Sequence, residues 1–293
     1  MSRRPTIDMV FCTDRMHFVG ILAAIHSIVS NAARPRELCF HIAVGAGESA
    51  EIERAMRRCF PRPELACRVR EFRPSPFLEE YIRAGRDLTY AAYTSSVMNF
   101  ARFYLSEIYP DLDKYIYLDA DVIVQGDIAE LFHLATLERY ALAAVPFSSF
   151  GEWEGYNMDS VHLRHLDPEQ PVFNNGIYVS DSRRWRDQNI LPALEGWMKL
   201  HRRSLDEFVF GTQSVMNLAF HRNLEVLPPE WNVNPLGDDE TTISDRALRE
   251  GKILHWAGRR KPWHPDGFFK EYWEPYALER PSAGRGAGTG ALS

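Results

Sequence analysis

The chain has 293 residues, 45% of them hydrophobic and 25% charged, an ordinary globular balance with room for one large α/β domain or two small ones. A net charge of -6 excludes the basic patches on which non-specific nucleic-acid binding depends, so no nucleic-acid partner is expected. No apolar stretch approaches the roughly 18–20 residues of a membrane-spanning helix.

The first third alternates strand-like and helix-like segments. Ile7 to Thr13 is a short apolar strand, entered without the apolar region of a signal peptide. Phe18 to Ser30 is long enough for a mostly buried helix, and Leu38 to Val44 is a second strand. Ser49 to Phe60 has helical spacing, with Ile52, Met56 and Phe60 on one face and Glu51, Glu53, Arg54 and Arg57 on the other. Ala66 to Phe72 is a third strand, ended by Pro74 and Pro76. Helical signals return at Phe77 to Ala84 and from Ser95 to Ile108, where Pro110 stops the helix. A fourth strand, Tyr115 to Leu118, is followed closely by Val122 to Val124. This alternation predicts an α/β fold with a mostly parallel central sheet, helices on both faces, and ligands at the carboxyl ends of the strands. Cys12, Cys39, Cys59 and Cys67 lack Cys-x-x-Cys spacing and read as buried thiols of a reducing, cytoplasmic compartment.

Between the two apolar runs lie Asp119, Ala120 and Asp121. On an extended strand, positions 119 and 121 point the same way, with Ala120 opposite. Two carboxylates on one face repel, and a divalent ion bound by oxygen removes that cost while anchoring phosphates. A turn with two solvated acids is the commoner fate of a lone Asp-x-Asp. An EF-hand is excluded, because Val122, Ile123 and Val124 fill the stretch that would need a polar loop with glycine.

The second half is less regular. Gly151 to Pro171 is polar, a loop or short helices over a site. Val172 to Val179 reads as a strand, Leu191 to His201 and Thr212 to Ala219 as helices, and Leu227 to Asp239 as a Pro-rich connector. Lys252 to Trp256 is a short strand leading into a Gly258 to Trp263 loop. The tail, 281–293, is Gly/Ala/Ser-rich and is expected to be disordered, leaving one continuous domain over 1–280. The segment FFKEYWEPY, Phe268 to Tyr276, is aromatic enough for peripheral contact with a membrane, here its inner face; a helix packed on the core is the competing expectation. His255 follows an apolar run and opens HWAGRRKPW, where a lone histidine is usually a satisfied core or surface residue. Beside it Gly258 permits close backbone approach and Lys261 offers a cation, a pair that suits a diphosphate. An Asp-Asp-His set leaves metal positions open, and the imidazole tilts the ion toward Mn²⁺ over Mg²⁺.

From roughly residue 7 to 276 the chain resembles glycosyltransferase family 8 in the blocks VFCTD, FARFYL, DKYIYLDADVIVQGDIAELF, FNNGIYVSD, TQSVMN, LPPEWNV and HWAGRRKPW. The resemblance implies a GT-A fold, a UDP-sugar donor, Mn²⁺ and retention of anomeric configuration; a saccharide or glycolipid acceptor is the expected partner, though acceptors bind in loops that vary across such enzymes. Asp119, Asp121 and His255 match the family's metal ligands, and Gly258 and Lys261 its diphosphate-binding residues. Cys12, Asp14 and His17 fall where uracil and ribose are held, with apolar packing an equal reading for Cys12. Arg102 matches a helix arginine that contacts donor sugar and aspartate; Asn174 matches a donor-sugar asparagine. Gln213 matches a glutamine on the reacting face of the sugar. An amide is a poor nucleophile, so its expected role is to steady positive charge at the anomeric centre.

One departure bears on the donor. Many members of the family have Asp-Gln where this chain has Thr212-Gln213. An aspartate there would repel a uronic-acid carboxylate, whereas a threonine hydroxyl can donate to it. LPPEWNVNPLGDD also resembles the galacturonosyltransferase branch, so both features lean toward a hexuronic donor. Two other classes compete: a metal-dependent hydrolase of UDP-sugars using the same aspartates, and a non-catalytic sugar-nucleotide binding protein. Retention of Asp119, Asp121, His255 and Lys261 together argues against the second.

Overall fold

A computed structural model describes residues 6–61, 65–85, 96–209, 211–239 and 242–278. Its strands are β1 (Ile7–Thr13), β2 (Leu38–Gly45), β3 (Ala66–Phe72), β4 (Lys114–Leu118), β5 (Val122–Val124), β6 (Leu142–Ser149), β7 (Pro171–Asp181), β8 (Leu224–Val226) and β9 (Ile253–His255). Seven of them form one sheet in the order β3-β2-β1-β4-β7-β6-β8, while β5 and β9 pair separately. The pairings β3–β2, β2–β1, β1–β4 and β6–β8 are parallel, and β7 runs antiparallel to β4 and β6. The expected mostly parallel sheet is therefore present.

Alternation along the strands separates two cores. Val10 and Cys12 of β1 face a cluster completed by Leu78 and Tyr81, by Phe100 and Phe103, and by Leu194 and Val215 from five helical segments. Met9 and Phe11 face the opposite cluster, formed with Phe18 to Ile28, Ile52, Met56, Ile128 and Leu131. Helices thus cover both faces. Helix Phe18–Asn31 and helix Ser49–Cys59 lie within a residue of their expected ends, and helix Thr212–Ala219 matches its expectation at both.

Among the segments that differ from the sequence expectation are three in the middle of the chain. The two aspartates do not end a strand: β4 stops at Leu118, and the chain crosses at 119–121 from the large sheet into β5 of the small one. The expected helix from Ser95 to Ile108 begins outside the described residues and is broken, with a 3₁₀ turn at Arg102–Tyr104 between helices Val97–Ala101 and Leu105–Ile108. The Asn99 carbonyl, which a continuous helix would give to the Phe103 amide, accepts Arg102 Nε at 2.8 Å. The third is β6, which had no strand signal: its start is Ala-rich and Pro146 sits at a register shift against β7.

Residues 151–170 fold as turns tied to their own base, with Phe150 N–H donating to Gln170 O at 3.0 Å and Gly151 N–H to Pro168 O at 2.9 Å. In the aromatic segment near the end of the chain, Trp273 is buried in a cluster with Leu254 and Trp256, and Phe269, Tyr272 and Tyr276 pack against that cluster, which is the core-packing arrangement. Among the described residues no helix is long and apolar enough to cross a membrane. The tail 281–293 lies outside the described residues.

Candidate functional site

The crossing at 119–121 ties each aspartate to a different part of the chain. Asp119 N–H donates to Gly176 O at 2.7 Å, fastening it to β7. The Asp121 carbonyl accepts Trp256 N–H at 2.9 Å, and Val122 pairs with His255, fastening the second aspartate to β9. Ligand atoms of Asp119, Asp121 and His255 consequently lie within 4.8 Å of one another.

Each of these side chains is held by a neighbour of complementary chemistry. Asp119 Oδ1 accepts from Arg102 Nη2 and from Tyr117 Oη, both at 2.9 Å. Among the described residues its Oδ2 has no hydrogen bond, which leaves that oxygen for a ligand. Arg102 is 2% exposed, and a buried guanidinium must be paired. Besides Asp119 it donates to Asn175 O at 2.7 Å and Asn99 Oδ1 at 2.7 Å, and it lies 4.8 Å from the Tyr117 ring centroid. Asp121 sits between Lys261, whose Nζ contacts Oδ2, and His255, whose Nε2 is 3.5 Å from Oδ1. Burial opposes its ionisation, but the Lys261 charge, with His255 beside it, holds the carboxyl well below the usual carboxylate range. Lys261 also donates to Trp256 O at 2.8 Å. Two carboxylates and an imidazole fit one hard or borderline divalent cation. In a cation-free site the Lys261 ammonium supplies the positive charge that Asp121 needs.

The end of β1 supplies the next group. Asp14 Oδ1 accepts the amides of Met16 and His17 at 3.0 and 3.1 Å and contacts His17 Nδ1 at 2.8 Å, while Ser96 Oγ donates to Oδ2 at 3.2 Å. Burial raises the Asp14 carboxyl, but the hydrogen bonds and charge of His17 outweigh it and hold it at about 2. The Asp14 hydrogen bond raises His17 above its ordinary 6.5 against the opposing effect of burial. Asp14 therefore adds stability that is full above roughly pH 4 and lost as pH falls through about 2. The His17 share is full below roughly 6.5 and lost as pH rises through its raised value. A histidine NMR titration should place His17 above 6.5, and Asp14→Asn should return it toward that value; a wild-type value at or below it would refute the pairing. The His17 ring also meets Trp263 edge-on at 6.3 Å, which links this group to the Lys261 loop. Cys12 lies in the core beneath, its thiol pushed up to about 12 by burial, so it is a neutral packing group here.

Helix Thr212–Ala219 brings the third group. Asn217 clamps the Phe173 backbone, with Oδ1 accepting its N–H at 2.8 Å and Nδ2 donating to its carbonyl at 2.9 Å. Asn175 Nδ2 donates to Thr212 Oγ1 at 3.0 Å. These bonds fix Thr212 and Gln213 beside 173–176 of β7, whose Gly176 lies against Asp119 and His255. The Gln213 side chain makes no hydrogen bond among the described residues. Asn174 turns its Oδ1 inward to Gly176 N–H at 2.9 Å and Asn232 Nδ2 at 3.3 Å, a structural duty beside the donor role expected of it. Gly258 has φ +111°, and an added Cβ would overlap the Gly237 carbonyl, so only glycine suits this turn.

Sequence reasoning missed Gly176, Asn217 and Asn232. All three stand inside quoted blocks, but their roles depend on contacts across the fold. A Cβ at Gly176 would lie 2.7 Å from Asp119 Oδ2 and 2.9 Å from His255 Nε2.

Asp8, Cys39 and His41 form a second group of metal-ligating types, at the opposite ends of β1 and β2. There His41 Nε2 is 2.7 Å from Asp8 Oδ1, a hydrogen bond, and its buried Nδ1 has no partner. A metal on Nε2 would force the proton onto Nδ1 and orphan it in the interior, at a cost of about 1–3 kcal/mol. The Asp–His hydrogen bond is the better use of that group.

The model of glycosyl transferase family 8 matches residues 8–267. A probable galacturonosyltransferase-like protein of Arabidopsis thaliana is 28% identical over 94% of this chain and 77% of its own length, and another is 30% identical over 93% and 72%. A human glycosyltransferase 8 domain-containing protein is 27% identical over 94% and 83%. Among solved structures, galactosyltransferase LgtC in complex with donor and acceptor sugar analogs superposes with a TM-score of 0.73 at 22% identity, covering 94% of this chain and 98% of that one. The sheet order and this likeness make the fold GT-A. With a family match running from the Asp8 end of β1 past the Lys261 loop, the chain belongs to glycosyltransferase family 8 and is a glycosyltransferase.

Proposed function

We propose that the protein moves a hexosyl or hexuronosyl group, with retention, from a UDP-sugar to a saccharide or lipid-linked acceptor. Asp119, Asp121 and His255 would hold a divalent cation, Mn²⁺ in preference to Mg²⁺. The observation that carries this reading is the convergence of these three side chains, one oxygen of Asp119 unbonded, with Lys261 at their edge. A bound cation supplies charge that offsets the leaving diphosphate. Lys261 shares that task from its place against Asp121, so its charge acts most strongly as negative charge grows on the departing group. Asp14 and His17 flank the nucleoside end. Asn175, Thr212 and Gln213 flank the sugar, where the uncharged Gln213 amide oxygen steadies a positive anomeric centre while the acceptor hydroxyl enters from the leaving-group side. A panel of UDP-sugars with Mn²⁺, scored by UDP release with and without saccharide acceptors, tests the proposal. Release equally fast without acceptor would instead indicate a hydrolase.

Thr212 bears on the donor. Its Oγ1 accepts from Asn175, which leaves its own hydroxyl proton to donate, and the helix it opens starts at Gly211 with no side-chain cap. Both features favour a carboxylate on the sugar. The galacturonosyltransferase-like relatives support the same choice. UDP-glucuronate or UDP-galacturonate should outperform the matching neutral UDP-hexose, and Thr212→Asp should shrink that preference by on the order of 1–3 kcal/mol, about ten- to a hundredfold. A wild type that prefers neutral hexoses, with the substitution harming all donors alike, would exclude the uronic reading.

A further inference from the structure

A line of hydrogen bonds begins at a backbone amide and ends at the metal site. Gly176 N–H donates to Asn174 Oδ1 at 2.9 Å. A peptide N–H can only donate, so the Asn174 atom facing it is the oxygen rather than the amide nitrogen. The atom of Asn232 that approaches the same oxygen, at 3.3 Å, must then be Nδ2. That orientation turns Asn232 Oδ1 to His255 Nδ1 at 3.1 Å. An amide oxygen only accepts, so the proton of the neutral imidazole sits on Nδ1 and the lone pair on Nε2. Nε2 in turn faces Asp121 Oδ1 at 3.5 Å, beyond the ordinary hydrogen-bond range.

We infer that Asn232 is a positioning residue: it locks His255 in the tautomer that offers the Nε2 lone pair to a divalent cation, with Asn174 and the Gly176 amide setting the direction of the relay. The inference rests on the metal reading of Asp119, Asp121 and His255. Asn232 and His255 are both buried, so water does not compete for the ring nitrogen. The register is also set by backbone, since Val233 N–H donates to Ile253 O and His255 N–H to Val233 O, both at 2.9 Å. The Asn232 side chain is thereby held against β9 independently of any cation. His41 supplies the contrast within the same chain. Its ring has no acceptor at the nitrogen away from Asp8, and that is what a metal-binding imidazole requires.

Mn²⁺ titration without sugar nucleotide, followed by the EPR signal of free Mn²⁺, tests this on wild type, Asn232→Ala, Asn232→Asp, His255→Ala and the alanine double variant. Asn232→Ala should weaken Mn²⁺ binding about 10–100-fold. Asn232→Asp keeps an acceptor for Nδ1 while losing the donor to Asn174, and should stay nearer wild type. In the His255→Ala background, Asn232→Ala should add little, because no ring remains to orient. Metal-free ¹⁵N NMR should show the Nδ1–H tautomer of His255 in wild type and a mixture in Asn232→Ala. Unchanged Mn²⁺ affinity in a natively folded Asn232→Ala, or losses that multiply in the double variant, would overturn the inference. A wild type that binds no Mn²⁺ would bring down the metal reading and this inference with it, and the ¹⁵N signature would still show whether the hydrogen-bond assignment was right.

Discussion

Asp121→Asn should lower kcat/KM by roughly 10²-fold or more, about 3 kcal/mol of transition-state stabilisation. The substitution is nearly isosteric, so its effect comes from charge. Asp121 is buried and joined to both Lys261 and His255, so its carboxylate is the negative centre around which the site is arranged. An amide there weakens cation binding and releases Lys261 from its partner. Activity should also vanish in excess chelator and return best with Mn²⁺. Full wild-type turnover under chelation would sink the metal reading, while a native fold of Asp121→Asn by circular dichroism would separate loss of chemistry from loss of structure.

Gly176→Ala should be as damaging, although it adds a single methyl group and changes no charge. The new Cβ would lie 2.7 Å from Asp119 Oδ2 and 2.9 Å from His255 Nε2, and nearer still to His255 Cε1. Contacts of that length force a shift of several tenths of an ångström to about 1 Å. The strand cannot give way easily, because Ile177 pairs with Leu118 and the Gly176 carbonyl holds the Asp119 amide. The His255 ring is buried, and its Nδ1 is held by Asn232 Oδ1 at 3.1 Å. The ligands must therefore separate. A misplacement of about 1 Å costs on the order of 10²-fold in rate, and Mn²⁺ affinity should fall with it. Asn174→Ala is the informative companion, since it removes the acceptor of the relay without adding bulk. Wild-type Mn²⁺ affinity and turnover in Gly176→Ala would show that the site relaxes around the methyl group.

Much of the candidate site was legible before folding was considered. The Asp119–Asp121 pair, the His255–Gly258–Lys261 spacing and the family blocks name residues that the structure brings together. Arg102 was expected to reach an aspartate and does so at Asp119. Cys12 was read two ways, and its burial and raised thiol favour packing. Gly176 was passed over because a glycine within the expected Val172 to Val179 strand gives no sign along the chain of what stands opposite it. In the structure its lack of a side chain matters because Asp119 and His255 stand there.

Local periodicity and turn chemistry were enough to place the first three strands, the helices between them and helix Thr212–Ala219, because each depends on neighbours within a few residues. The spacing of charged and glycine residues was enough to mark the chemistry. The tertiary structure alone decided that the two aspartates straddle two sheets, that β7 enters antiparallel beside β4, and that Lys261 meets Asp121 across 140 residues of chain. It alone decided the orientation of Asn174 and Asn232. The physical reason is the same in each case: a strand's partner and an amide's direction are set by hydrogen-bond donors and acceptors that come near only after the sheet has formed, and no periodic signal along the chain encodes them.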